Sequence, residues 1–399
     1  MTVQTPTVTP SWLPAALAGL CATLIGLGIG RFSYVALLPL LIDAHWATPG
    51  AAAQIAAANL IGYMIGALTA HRFALAMGAA QAIRAAMLGI CVSLILCSVN
   101  LGFAWLWGWR LLAGIGGGWL MILAAPFIMS RVPPQKRGKA VGFVFSGIGF
   151  GIILSGFSVP ALGAEHLSAA WLLLAAMVAL AILFAWPKFK PVPSAVAPAV
   201  AKDRLMPRGA LLALLLAYML DGVGYLPHTV LWVEYLVHGL GKPLATGGLF
   251  WAIFGAGAAC GPLLTGHAAD RFGFRNTVSV AFALKAFGVA LPLISSSMPA
   301  LVLSSFLVGA FTPGLVAVVS GRVLEIAGPA GHQRNWALLT FVYAVLQAIG
   351  GYAMASLYAA THSFTLLFAL GASALTASAL IATFGSSRLT VPATDDVDS

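Results

Sequence analysis

Residues 26–41 read GLGIGRFSYVALLPLL, an apolar run with one arginine, Arg31, near its middle. From Leu13 to Ile42 no other side chain carries a charge. The run is long enough to cross a lipid bilayer, because about 20 apolar residues at a rise of about 1.5 Å each are sufficient. A charge at the bilayer centre costs about 2.5–3.5 kcal/mol even on the most lenient insertion scale. The stretch therefore predicts a membrane-spanning helix in which something offsets the cost of Arg31.

The composition extends this prediction to the whole chain. Of 399 residues, 61% are hydrophobic and 8% charged, and the mean hydropathy is +0.98. Soluble domains have about 25% charged residues, so the sequence predicts an all-α protein that crosses the lipid bilayer many times. The net charge of +10 does not indicate a nucleic-acid partner, because the basic residues lie between apolar runs. The four cysteines lie inside apolar runs without ligand spacing, so we expect no metal and no cofactor.

Turn residues and charges divide the chain into twelve predicted spans joined by short loops. They lie near residues 13–42, 50–70, 76–98, 101–129, 139–161, 168–186, 210–237, 245–268, 275–297, 300–321, 335–358 and 363–384.

The basic residues occur in alternate connections, as cytoplasmic loops require. The intervening connections contain Lys242 as their single Lys or Arg. We therefore expect both termini to be cytoplasmic. The Pro/Ala-rich stretch within 187–209 predicts a cytoplasmic linker between an N-terminal six-helix half (1–186) and a C-terminal six-helix half (210–388). Residues 389–399 form a short acidic tail, which we also expect in the cytoplasm.

The two halves resemble each other in sequence. GIGRFSYVALL (28–38) aligns with GVGYLPHTVLW (222–232), RLLAG (110–114) with SFLVG (305–309), and FVFSGIGFG (143–151) with FVYAVLQAI (341–349). The offsets of these pairs are nearly constant. This indicates a parallel repeat, a feature of secondary transporters, and so predicts two pseudo-symmetric halves.

The segment GHAADRFGFR (266–275) has the spacing GxxxDRxGxR, which resembles the loop signature of the major facilitator superfamily. The resemblance implies a conformational latch formed by Gly266, Asp270, Arg271, Gly273 and Arg275. A plain basic loop is the alternative. The repeat-related loop, GALTAHRFALAMG (66–78), has no aspartate.

Two further stretches resemble the YbfB/YjiJ-type branch of that superfamily. These are GIGRFSYVALLPLL (28–41) and TFVYAVLQAIG (340–350), together with the glycine-rich start of span seven. The resemblance implies the major facilitator fold and a transporter rather than an enzyme. We also expect a monomer in the bacterial cytoplasmic (inner) membrane that transports a small-molecule substrate in a manner coupled to protons.

Two charges predict the transport site. Arg31 lies 12 residues before Asp43 and Asp221 lies 13 before Glu234, so both fall about 18–20 Å from the same membrane face at 1.5 Å per residue. We predict that they face each other across a central cavity, where Arg31 binds an organic anion and Asp221 carries the proton. A static strut between the halves is the alternative.

Other polar residues complete the predicted site. We expect Tyr34, Tyr225 and Gln347 to contact the substrate. Arg110, in WRLLAGIGGGW (109–119), serves either in proton coupling or as a strut to backbone carbonyls. His228 serves either as a proton relay or as a packing residue. For Lys285 we favour a structural pairing over a substrate role.

These residues favour a proton-coupled transporter of a small organic anion, by symport or antiport, with alternating access through rocking of the halves. The alternative within transport is a proton-antiport exporter of amphipathic drugs or metabolites. An intramembrane enzyme is disfavoured because the twelve predicted spans contain no DxxD motif and the sequence contains no HxxxD or HExxH motif. A channel is disfavoured because it has no need for two halves with a latch.

Overall fold

The computed structural model describes residues 12–133, 136–190 and 206–385. Within these residues twelve helices are long and apolar enough to cross a membrane. They are α1 (Leu13–Asp43), α2 (Pro49–Met77), α3 (Ala79–Leu96), α4 (Phe103–Met129), α5 (Lys139–Ser158), α6 (Ala164–Lys188), α7 (Arg208–Gly239), α8 (Leu244–Phe272), α9 (Phe274–Ile294), α10 (Met298–Gly328), α11 (Arg334–Thr361) and α12 (Phe364–Phe384). Each predicted span overlaps one of these helices, so the prediction of a multi-pass, all-α membrane protein is confirmed. Most of the predicted linker and all of the predicted acidic tail lie outside the described residues.

The internal repeat is visible as identical packing contacts in the two halves. In the first half, a Cβ on Gly66 would overlap the carbonyl oxygen of Ile115. In the second half, a Cβ on Gly261 would overlap that of Ala310. Gly261 follows Gly66 by 195 residues, and Ala310 follows Ile115 by the same number. Helix α2 therefore packs on α4 as α8 packs on α10. The predicted pseudo-symmetry of the halves is confirmed.

The turn that carries the GxxxDRxGxR signature is shorter than the sequence suggested. Helix α8 continues to Phe272, and Gly273 with φ +79° reverses the chain into α9. The equivalent residue, Gly78, ends α2 with φ +90°. A positive φ is unfavourable for residues with a Cβ, so both turns need glycine at this place.

The central helices α1 and α7 join the two halves at one end of the bundle. We call the end where α1 begins and α12 ends the terminal face, and the opposite end, which carries Asp43 and His238, the distal face. The distal parts of α1 and α7 pack against each other, whereas the terminal parts pack mainly on helices of their own halves. Every residue from Ala22 to Leu41, and from Gly224 to Leu236, is buried. The distal face is therefore closed.

Candidate functional site

Helix α1 is not regular around Arg31. A π-helical segment covers Leu24–Ile29, and α-helix resumes at Ser33–Asp43. Residues 30–32 form the turn between these segments. Such π segments inside α-helices are frequent at functional sites. The break leaves the carbonyls of Gly30 and Arg31 accessible to side chains.

Arg110 of α4 binds those two carbonyls. Its Nη1 donates to Gly30 O at 2.8 Å and its Nη2 to Arg31 O at 3.2 Å. Asn59 of α2 donates from Nδ2 to Arg110 O at 3.1 Å. Arg110 is 1% exposed. Of the two alternatives given for Arg110, this contact pattern agrees with the strut to backbone carbonyls, which fastens the break in α1.

Helix α7 is interrupted at the repeat-equivalent position. Its first helical segment ends at Gly224, and the next begins at Leu226 with Pro227 in its first turn. Tyr225 lies between the segments, 194 residues after Arg31. A proline is tolerated in the first turn of a helix, where its missing N–H is not needed. Both central helices therefore break at the same level, and the residue at each break faces the other half.

Arg31 and Tyr225 belong to one hydrogen-bonded cluster at this level. It also contains Tyr343 and Gln347, and we call these four residues the Arg31 cluster. Arg31 donates from Nη1 to Gln347 Oε1 at 3.2 Å and from Nη2 to Tyr225 Oη at 3.4 Å. Tyr225 Oη also accepts from Tyr343 Oη at 3.0 Å and from Gln347 Nε2. The predicted residues Arg31, Tyr225 and Gln347 are thus brought together, although they come from α1, α7 and α11.

The predicted charge pair between Arg31 and Asp221 was wrong in this conformation. Asp221 Oδ1 accepts instead from Lys285 Nζ of α9 at 2.7 Å, and both side chains are at most 1% exposed. Arg31 forms no ion pair with any residue that the structure describes. Equal depth in the membrane did not determine the partner, because Asp221 faces α9 within its own half. The structural pairing expected for Lys285 is confirmed.

Tyr225 lies between the ion pair and Arg31. The ammonium of Lys285 lies 4.1 Å from the centroid of the Tyr225 ring, a distance typical of a cation–π contact. The hydroxyl of the same tyrosine accepts from Arg31. One side chain therefore contacts two buried cations, Arg31 and Lys285.

A central cavity opens beside this cluster. Its walls come from both halves and are mostly apolar or aromatic, and its polar side chains are those of the Arg31 cluster, Tyr63 and Thr312. The wall residues are Leu27, Arg31, Phe32, Tyr63, Met121, Phe145, Ile148, Tyr225, Thr312, Pro313, Val316, Tyr343 and Gln347. Arg31 is the one charged residue among the described residues of this wall, and none of them is a carboxylate.

Two predicted site residues lie away from the cavity wall. Tyr34 is 2% exposed and donates from Oη to Ala52 O of α2 at 2.9 Å. His228 is fully buried, with Nε2 2.8 Å from Ser304 Oγ, and it stacks on Trp232 at 4.2 Å. These contacts agree with the packing alternative for His228. The expectation that Tyr34 contacts the cavity is corrected.

The signature residues lie at the end of α8 and the start of α9, at the terminal face. The Arg31 cluster lies deeper in the bundle. Asp270 is exposed and forms no ion pair with another residue in the described ranges. Arg271 contacts the ring of Phe272 at 5.5 Å. In this conformation the predicted latch is therefore not engaged through Asp270.

Two aromatic residues that contact the Arg31 guanidinium were not predicted from the sequence. Phe32 and Tyr63 flank the Arg31 guanidinium at 4.9 and 5.6 Å from their ring centroids. Phe32 is adjacent to Arg31 in sequence, but aromatic residues are too common in spans to mark it. Tyr63 lies on α2, and only the tertiary packing brings it to Arg31.

Two pseudo-symmetric six-helix halves around a central cavity define the major facilitator fold, an architecture of secondary membrane transporters. The family model described as "Uncharacterised MFS-type transporter YbfB" matches residues 23–383. The chain belongs to this family, and the resemblance seen in the sequence is confirmed.

Solved structures with the same fold agree. The chain is similar to the crystal structure of a D-xylose-proton symporter, with a TM-score of 0.71 and 18% identity over 94% of this chain and 98% of that one. It is also similar to a mutant of the nucleoside transporter NupG, with a TM-score of 0.73 and 14% identity over 94% and 99%. At these identities the likeness concerns the fold alone. A search of curated proteins gives no match.

Proposed function

We propose that the protein is a proton-coupled secondary transporter of a small organic anion, located in the bacterial inner membrane with both termini in the cytoplasm. The observation that carries the proposal is Arg31, a cation in the wall of the central cavity with no ion-pair partner among the described residues. A charge inside a membrane protein ordinarily pairs with another charge or serves a transport path. The substrate anion is the partner that Arg31 lacks.

The cavity favours an anion with a single charge and an apolar body. One cation is available, because Lys285 is already neutralised by Asp221 at 2.7 Å. An arginine guanidinium can hold a carboxylate through two parallel N–H bonds. The apolar walls around it, from Phe32, Phe145 and Val316, would contact the rest of the molecule.

Substrate binding and proton binding are coupled in this proposal through Tyr225. A carboxylate on Arg31 competes with Gln347 and Tyr225 for the guanidinium donors. Tyr225 then loses a contact on its hydroxyl while its ring still lies on Lys285, which bonds Asp221. A shift of the Tyr225 ring relative to Lys285 changes how strongly Lys285 neutralises Asp221. Because Asp221 is the proposed proton carrier, this shift changes its affinity for a proton. His228 and Arg110 support α7 and α1 as packing and fastening residues.

Transport proceeds by rocking of the two halves around the Arg31 level. The distal face is closed, and the terminal parts of α1 and α7 pack mainly on helices of their own halves, which favours an inward-facing state when the termini are cytoplasmic. Closure of the terminal face would bring the signature residues Asp270 and Arg271 towards the other half, where they latch the opposite state. A proton symporter is one of the proteins with this fold.

An exporter of amphipathic drugs or metabolites, driven by proton antiport, is the second candidate. The observation that favours it is the aromatic and apolar wall around the Arg31 cluster. The two candidates differ in the charge of the substrate, since an exporter of cationic amphiphiles has no use for an unpaired arginine.

The experiment has two stages. The purified protein is first screened by thermal shift against monocarboxylates with apolar bodies, dicarboxylates, sugars and cationic amphiphiles. Compounds that stabilise it are then tested for uptake into proteoliposomes with and without an imposed pH gradient. We expect monocarboxylates to stabilise the protein and their uptake to depend on the gradient.

Arg31→Gln is the decisive variant, and Arg84→Gln is its control. Arg84 lies on α3 and bonds Trp186 O at 3.1 Å, outside the cavity. We expect Arg31→Gln to fold and to lose carboxylate binding, while Arg84→Gln keeps it. Full carboxylate transport by a folded Arg31→Gln protein, or stabilisation by cationic amphiphiles alone, would overturn the proposal.

A further inference from the structure

A second group of ionisable residues joins the two halves at the distal face. His238 of α7 lies with Nε2 at 2.9 Å from Asp43 Oδ1 of α1 and with Nδ1 at 2.9 Å from Glu234 Oε2. Tyr358 of α11 donates from Oη to Glu234 Oε1 at 3.3 Å. The imidazole thus bridges a carboxylate of one half and a carboxylate of the other. We call Asp43, Glu234, His238 and Tyr358 the distal cluster.

The bridge requires a proton. An ionised carboxylate only accepts hydrogen bonds, and a neutral imidazole has a single N–H. With both carboxylates ionised, both ring nitrogens must therefore carry hydrogen. If the ring is neutral, one carboxyl group must supply the missing hydrogen. In either case the closed cluster contains one proton more than a neutral histidine beside two carboxylates.

The position of the cluster links this proton to closure. Asp43 and His238 are 195 residues apart, within one residue of the offset of 194 that relates α1 to α7, and residues at nearly equivalent places meet at an axis that relates two halves. Opening the distal face separates α1 from α7 and hence Asp43 from His238. His238 then retains only its hydrogen bond to Glu234 through Nδ1. Its Nε2 no longer faces a carboxylate, so this nitrogen can lose its hydrogen.

The charged groups that face His238 are therefore Asp43 from α1 and Glu234 from its own helix, with Tyr358 of α11 bonded to Glu234. The side chain of Glu234 is 2% exposed, whereas those of His238 and Asp43 are 36% and 41% exposed. A proton can thus reach the ring from the water at the distal face, while Glu234 remains held inside.

We propose that the distal cluster is a proton-binding site whose occupancy stabilises closure of the distal face. The site binds its proton when the face closes and releases it to the same side when the face opens. This proton is therefore not the transported one. It makes the balance between the two conformations depend on the pH at the distal face, with acid favouring closure. The proton site stands on the geometry alone, and only the assignment of the distal face to the cell exterior rests on the proposed function.

The test measures conformation and needs no substrate. Spin labels are attached to Asn100→Cys on the α3–α4 connection and Ser296→Cys on the α9–α10 connection, after replacement of the four native cysteines by serine or alanine. Both positions are exposed at the distal face, one in each half. Distances between the labels are recorded in lipid nanodiscs from about pH 5 to about pH 8.5, the range in which histidine ordinarily titrates.

We expect the short-distance population to increase on acidification, with a population ratio that changes by up to about tenfold per pH unit, the limit for one proton. His238→Gln and Asp43→Asn should each remove most of this dependence. The control is His166→Gln, which changes an exposed histidine at the same face whose Nδ1 lies 3.3 Å from Leu162 O.

The proposal would be overturned if the distance populations of the labelled protein with His238 and Asp43 intact did not change with pH. The same holds for a pH response that survives both His238→Gln and Asp43→Asn, or one that is lost equally in His166→Gln. Because no substrate is present, failure of anion transport would leave this result unaffected, and the two proposals can fail separately.

Discussion

Arg31 and Tyr225 occupy the same place in the two halves of the protein and hydrogen-bond to each other at 3.4 Å beside the central cavity. Each lies at the break of its helix, and the break in α1 is fastened by Arg110. Residues close to an axis relating two similar units contact their own equivalents. The Arg31–Tyr225 bond therefore joins the two halves at the level of the cavity, and a rocking motion that separates the halves there must lengthen or break it.

Tyr225→Phe should separate the two functions of this side chain. The variant keeps the ring on Lys285 and removes the hydroxyl that competes for Arg31. We expect carboxylate affinity to increase about threefold, since one weak hydrogen bond is worth about 0.5–1 kcal/mol, and uptake to lose its dependence on the pH gradient. Binding and uptake measurements check this. Tyr235→Phe, on the same helix near Pro292, should change neither, and weaker binding by Tyr225→Phe would contradict the competition.

Removal of one member of the Lys285–Asp221 pair should be strongly destabilising. Lys285→Met leaves a buried carboxylate without its partner, which costs about 3–5 kcal/mol in comparable pairs. The double variant Asp221→Asn/Lys285→Met should recover most of the loss, because no isolated charge remains. Thermal denaturation of the three purified proteins provides the measurement. If Lys285→Met were as stable as the native protein, the pair would not hold α7 against α9.

Arg110→Lys distinguishes the two roles considered for Arg110. An ammonium cannot bond Gly30 O and Arg31 O with the fixed fork of a guanidinium. If Arg110 is a strut, the variant should lose about 1–3 kcal/mol of stability, the cost of an unsatisfied buried group. Transport by the protein that remains folded should still depend on the pH gradient. Native stability combined with loss of coupling would instead assign Arg110 to the coupling machinery.

The repeated glycine contacts predict a matched pair of effects. Gly66→Ala and Gly261→Ala each force a methyl group onto a backbone carbonyl, that of Ile115 or Ala310. Backbone cannot rotate away as a side chain can, so both variants should be poorly folded and to a similar degree. Gly89→Ala on α3 meets no atom within 4 Å and should be tolerated. Size-exclusion profiles in detergent measure this, and a well-folded Gly261→Ala protein would argue against equivalent packing in the two halves.

Much of the architecture could be read from the sequence because it depends on local composition and on spacing. Hydropathy located twelve helices, and the near-constant offset between 28–38 and 222–232 indicated two similar halves. The same offset placed Arg31 opposite Tyr225 in the alignment, and Gln347 was selected by its depth in span eleven. These three residues do lie together in the structure.

The partners of the buried charges could not be read in the same way. Counting residues along a helix gives depth along the membrane normal, and Arg31 and Asp221 have the same depth. It does not give the direction in which a side chain leaves its helix, which depends on helix rotation and on the breaks near residues 30 and 225. Tyr34, three residues beyond Arg31, bonds Ala52 O of α2 instead of lining the cavity.

The sequence by itself therefore determined the membrane class, the twelve helices, the two related halves and the charged level at which they meet, because each follows from patterns along one chain. The tertiary structure alone decided that Asp221 pairs with Lys285, that Arg31 is left facing the cavity, and that His238 joins Asp43 to Glu234. Those contacts depend on distances of a few ångströms between side chains on different helices, and only the packing of the helices fixes them.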